Sequence, residues 1–182
     1  MSAYRVLLVA LSLFTALLLQ TTVVSRLGFL GAQPDLVLVV VVCFALTDGP
    51  GVGMVGGFGA GLLLDLLSDH TLGLLALVLC SIGYASGIVR AYLDRLAITT
   101  PMLFVGAATA AAGLSFAALL ALLGDPRITG GTLLRSVTLA ALYDVVLTPF
   151  VFAAVSALSR PRDEMNLRVG AAAHGDRRGV RR

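Results

Sequence analysis

Lysine and tryptophan are absent from this 182-residue chain, and charged residues make up only 13% of it. A soluble domain carries about a quarter of its residues as charges. Half that proportion, beside 58% apolar residues, excludes an ordinary water-soluble fold and indicates one integral membrane domain. All thirteen basic side chains other than histidine are arginines, and seven of them follow Leu158. A basic tail directly behind an apolar run is the pattern of a cytoplasmic segment near anionic lipid headgroups, not of a nucleic-acid surface. The two cysteines, Cys43 and Cys80, stand alone in apolar runs, so neither a disulfide framework nor a metal site is indicated.

Catalytic patterns are equally scarce. His70 and His174 have no neighbouring ligand set, and there is no nucleophile elbow, phosphate loop or Cys-His pairing. Asp48-Gly49 followed by Gly61, Asp65 and Asp69 at four-residue spacing resembles part of the metal-binding signature of membrane enzymes that transfer a phosphoalcohol from CDP-linked lipids. That signature needs a further aspartate and an Ala-Arg pair where this chain has Ala45, Val52 and Gly53. A magnesium pair would lack hard oxygen ligands. No enzyme, cofactor or metal is expected.

What the sequence does contain is long apolar runs. Residues 5–24 open with one arginine and read as a retained first helix, without a convincing cleavage site. The stretch from Pro34 to Asp69 organises the rest. Between Asp35 and Leu67 it has three charges, Asp35, Asp48 and Asp65. As one helix it would be about 50 Å long, against a hydrocarbon core of roughly 30 Å. Asp48-Gly49-Pro50-Gly51 supplies the break, giving two short helices over about 34–49 and 51–67. Further spans are predicted at 72–89, 100–123 and 133–158.

The fold class is thus all-α: a polytopic membrane bundle of six transmembrane helices over 1–158, the second and third short and joined by a Gly-Pro-Gly turn. A basic cytoplasmic tail of disordered composition follows over 159–182. With both termini in the cytoplasm, ten arginines lie inside and Arg26, Arg127 and Arg135 outside, as the charge rule favours. Counting 34–67 as a single span also leaves the tail inside; helix length is what favours six.

Within this frame Gly53, Gly57 and Gly61 recur every four residues, and Asp65 continues the series. Gly56 and Gly59 widen the groove. Small residues in lipid let a second helix approach closely, either from within the chain or from a partner. Asp35 and Asp65 fall at the outer ends of their helices, where Asp65 could pair with Arg26 or Arg135. Asp144 sits about eleven residues into the last span, near mid-membrane, where an aspartate costs roughly 2.5–3.5 kcal/mol on insertion scales. It should face the bundle, as a functional group or as a hydrogen bond locking two helices. Pro149 removes the backbone bond to Val145 and is expected to kink this helix.

Pro34-Asp35-Leu36, Gly57-Phe58-x-x-Gly61-Leu62-x-x-Asp65-Leu66, Leu72-Gly73, and Leu142-Tyr143 with Pro149 resemble, in order and spacing, the MreD family of bacterial rod shape-determining membrane proteins. The likeness covers about residues 5–158. It implies a non-enzymatic scaffold of the cell-elongation machinery in the plasma membrane, binding the single-span protein MreC. Through MreC it would be coupled to a RodA-type peptidoglycan glycosyltransferase and its transpeptidase. A fold similar to the substrate-binding subunits of energy-coupling vitamin transporters is also implied. The partner-binding or helix-packing candidates are Asp35, Gly53, Gly57, Phe58, Gly61 and Asp65, with Tyr143 and Asp144 as intramembrane polar candidates. The rival reading, a subunit that captures a vitamin-like solute, requires polar groups converging near the outer surface. Arg26, Asp69 and His70 are too few to form such a site.

Overall fold

Asp48-Gly49-Pro50 reverses the chain in a single residue. Gly49 adopts φ +103°, a left-handed conformation that costs side-chain-bearing residues about 1–2 kcal/mol, and its N–H donates to the Ala45 carbonyl at 2.9 Å. Pro50 then opens the next helix, where its missing N–H costs nothing. In the computed structural model, which describes residues 3–22, 33–67, 72–92, 99–123 and 130–159, this turn separates α2 (Leu36–Asp48) from α3 (Pro50–Leu67). Before them comes α1 (Ala3–Thr22). After them come α4 (Leu74–Val89), extended by a 3₁₀ turn over Arg90–Tyr92, then α5 (Thr99–Leu122) and α6 (Gly130–Ser159). No strand occurs among the described residues. Arg26, Asp69, His70, Arg127 and the residues after Ser159 lie outside them.

The six expected helices form, and α2 is the one that differs in length. Five helices, α1, α3, α4 with its 3₁₀ extension, α5 and α6, are long and apolar enough to cross a membrane. α2 has 13 residues, about 20 Å at 1.5 Å per residue, because Asp35 caps its start and Gly49 stops its end. Its sequence, LVLVVVVCFALTD, is apolar on every side, and such a helix belongs in a core. Val37 to Ala45 are buried without interruption. α2 is the axis of the bundle and packs against all five other helices.

The first four helices alternate in direction. At one end Arg5 of α1 pairs with Asp48 of α2 at 3.5 Å, and the Arg90 guanidinium packs over Gly49. At the other end Gln20 of α1 meets the start of α2, and Asp65 of α3 meets the start of α4.

Candidate functional site

The glycine series on α3 is filled from within the chain. A Cβ placed on Gly53 would strike the Gly83 carbonyl, one on Gly57 the Leu79 carbonyl, and one on Gly61 the Ala76 backbone at 2.5 Å. α3 and α4 therefore touch backbone to backbone, the arrangement that substitutes in lipid for the missing hydrophobic drive between helices. The groove is continued from the other side by Gly83 against Gly53 and Gly87 against Pro50. Those two glycines have the same four-residue spacing, in SIGYASG, so the signal for the receiving face was present but unread. A Cβ on Gly56 would lie 3.1 Å from Leu13 of α1, and Gly59 has open space before it. Phe58 is 51% exposed.

Asp65 ends the series as a helix cap supplied by a neighbouring helix. Its side chain is buried; Oδ2 accepts from the Gly73 N–H at 2.9 Å and the Ala76 N–H at 3.1 Å, and Oδ1 from the Leu75 N–H at 3.2 Å. The first N–H groups of any helix have no partner inside it, and the residue that caps the start of α4 is Gly73, which has no side chain to offer. A carboxylate there also sits at the positive end of the helix dipole. Backbone donors, not Arg135, meet this carboxylate; Arg135 is exposed.

A second carboxylate joint holds the start of α2. Asp144, fully buried on α6, accepts the Asp35 N–H on Oδ1 at 2.9 Å and the Thr109 hydroxyl of α5 on Oδ2 at 2.8 Å. Gln20 of α1 accepts the Val37 N–H at 2.9 Å, and Asp35 itself accepts the Leu38 N–H at 3.1 Å. Three opening donors of the central helix are thus taken by α6, by α1 and by its own cap. Asp144 locks three elements, α2, α5 and α6, where the sequence suggested two helices. It also stands level with Gln20, near the C-terminal end of α1. One residue turn further on, Thr148 donates to the Asp144 carbonyl at 2.6 Å, just before Pro149, which lies inside an unbroken α6. Such back-bonding by threonine accompanies helix bending. Tyr143 is half-buried and takes no part in this joint. Gln20 and Thr109 were not singled out from sequence. An amide and a hydroxyl inside apolar helices were the available signal.

Beside this joint lies a cavity of about 510 Å³ between α2, α4, α5 and α6, with Gln33, Asp35, Thr109 and Ser136 on its wall. Asp35 and Thr109 direct their polar atoms at Leu38 and Asp144, so these two serve the joint. No group of three or more potential metal ligands occurs among the described residues.

An all-helical bundle with five helices of membrane-spanning length and its buried carboxylates turned on helix starts is a multi-pass membrane protein. The sequence model of the family described as rod shape-determining protein MreD matches residues 1–156, and the chain belongs to that family. No curated protein and no solved structure matches it. Membership gives the chain a role in rod-shape determination in the plasma membrane, within a family of structural membrane proteins and not of known enzymes.

Proposed function

We propose that this protein is a non-enzymatic scaffold of the cell-elongation machinery that binds an MreC-like single-span protein in the membrane. Through that protein it helps to organise a RodA-type glycosyltransferase and its transpeptidase. The observation that carries the reading, beside the family match, is where the intramembrane polar groups are spent: Asp65, Asp144 and Thr109 all fasten one helix of the chain to another. A rigid body with an apolar exterior suits recognition by contact. The transport alternative draws no support from the cavity beside Asp35, since two of its polar side chains are engaged in the joint.

Gly53, Gly57, Gly61 and Asp65 act on the partner only indirectly in this proposal, by fixing α3 against α4. The surface offered is the outer side of α3, where Met54, Phe58 and Leu62 are exposed at four-residue spacing, with Phe58 as the anchor. Asp35 supports the same face through the start of α2. α2 makes the sixth, shortened crossing, and both termini lie in the cytoplasm, as the ten-to-three arginine distribution favours. The arginine tail then lies against anionic lipid on that side. The test is co-purification of a co-expressed MreC-type partner with Phe58→Ala. Capture should fall several-fold while the thermal midpoint of the isolated protein stays unchanged. Undiminished capture would remove α3 from the interface.

A further inference from the structure

A groove of about 580 Å³ runs between α1 and α3, on the side of α3 away from α4. From Val6 to Leu17 on one wall and from Gly51 to Leu63 on the other, it is about 17 Å long at 1.5 Å per residue. That is close to half of the roughly 30 Å hydrocarbon core, the depth of one leaflet's acyl chains. Every lining residue is apolar or glycine. Its floor is low where Gly59 and Gly51 meet nothing within 4 Å.

The ends of the groove are unlike. One end closes among leucines. The other opens beside Arg5, the residue before Val6, whose side chain is 41% exposed while paired to Asp48. Arg90 lies over Gly49, two residues before Gly51. Arg5 thus brings a part-exposed guanidinium to this end and Arg90 a second one to the adjoining turn, where a lipid in the groove would carry its phosphate. Guanidinium is the side chain best matched to phosphate oxygens.

A helix fits this groove less well than a chain of methylenes. Val55, 68% exposed, stands between Gly51 and Gly59 on the same stripe and keeps a second backbone from settling on both. An acyl chain can pass beside it.

We propose that the α1–α3 groove is a binding site for one anionic phospholipid, its acyl chain lying between the helices and its phosphate against Arg5 and Arg90. The site is separate from the partner face on Met54, Phe58 and Leu62.

The experiment uses the full chain purified in mild detergent, with no partner present. Phosphatidylglycerol and phosphatidylcholine with identical acyl chains are added in equal amounts, and bound lipid is read by native mass spectrometry. Wild type should retain one phosphatidylglycerol in preference to phosphatidylcholine. Arg5→Gln and Arg90→Gln should each reduce that preference about fivefold, from the roughly 1 kcal/mol that one arginine contributes near an anionic headgroup. Gly59→Leu should lower occupancy by both lipids, because its side chain enters the groove from a position where a Cβ meets nothing. Ala10→Leu fills the groove from α1 and keeps the test available if the α3 variant folds poorly. Equal retention of the two lipids by wild type would overturn the proposal. So would full phosphatidylglycerol occupancy in the groove-filling variants, and loss of MreC capture in those variants with lipid retention intact would reassign the groove to a partner helix.

Discussion

Replacing Asp65 tests the use of a carboxylate on one helix to begin the next. Asp65→Leu puts a somewhat larger apolar side chain in place of the carboxylate and removes the acceptors of three N–H groups, those of Gly73, Leu75 and Ala76. Hydrogen bonds measured inside membrane proteins average about 0.6 kcal/mol and reach about 1.7. Three of them give roughly 2–5 kcal/mol, to which loss of a charge at the positive end of α4 adds about 0.3–1 kcal/mol. Asp65→Asn separates the contributions. Its one carbonyl oxygen can take the Oδ2 position, serving Gly73 and Ala76, while its amide group faces the Leu75 N–H and repels it. The asparagine variant should therefore lose about one bond and the charge, roughly 1–3 kcal/mol. Reversible unfolding in mixed micelles should rank wild type above Asp65→Asn above Asp65→Leu. Hydrogen exchange should rise first at the start of α4. A leucine variant as stable as wild type, or protected equally at Leu75 and Ala76, would refute the cap.

The other predictions use the same comparison of stability with contact geometry. Gly57→Ala should destabilise strongly and shift α4, because even a methyl group meets the Leu79 carbonyl, whereas Gly59→Ala should be neutral or slightly stabilising from helix propensity; unfolding midpoints of the pair check this. Thr109→Val, which keeps shape and loses the hydroxyl bonded to Asp144 at 2.8 Å, should cost about 0.6–1.7 kcal/mol. Asp144→Leu, which also abandons the Asp35 N–H, should cost more, and a double-mutant cycle between positions 109 and 144 should show coupling. Gly49→Ala should cost about 1–2 kcal/mol from its left-handed backbone, with little effect on hydrogen exchange at the start of α4.

The break at Gly49-Pro50 was legible because proline and glycine act through local backbone geometry, which a sequence states directly. The helical ranges of the long runs were legible for the same reason, since lipid demands continuous apolar length. The partner of the glycine stripe was not. Periodicity tells that a backbone will approach Gly53, Gly57 and Gly61, but Gly83 and Gly87 compete with any external helix for that place, and only tertiary placement decides between them. The central position of α2 escaped for a related reason. The apolar run does not distinguish a crossing from a helix wrapped by five others, and its ends are fixed by Asp35 and Gly49 at the two termini. Asp65 and Asp144 were visible as expensive charges, while the donors that satisfy them are backbone amides, which every residue carries and no sequence pattern marks.

The fastening of the central helix has a consequence for how the chain is made. Its opening amides emerge from the ribosome and enter lipid with Gln20 already available, yet the acceptor for the Asp35 amide is encoded 109 residues later. Until the sixth hydrophobic segment has been delivered, the middle of the assembly has an unclaimed donor and an unfilled wall. The architecture is thus complete only after that segment has been delivered, so a prematurely terminated product lacking it should be the species that cellular proteolysis removes.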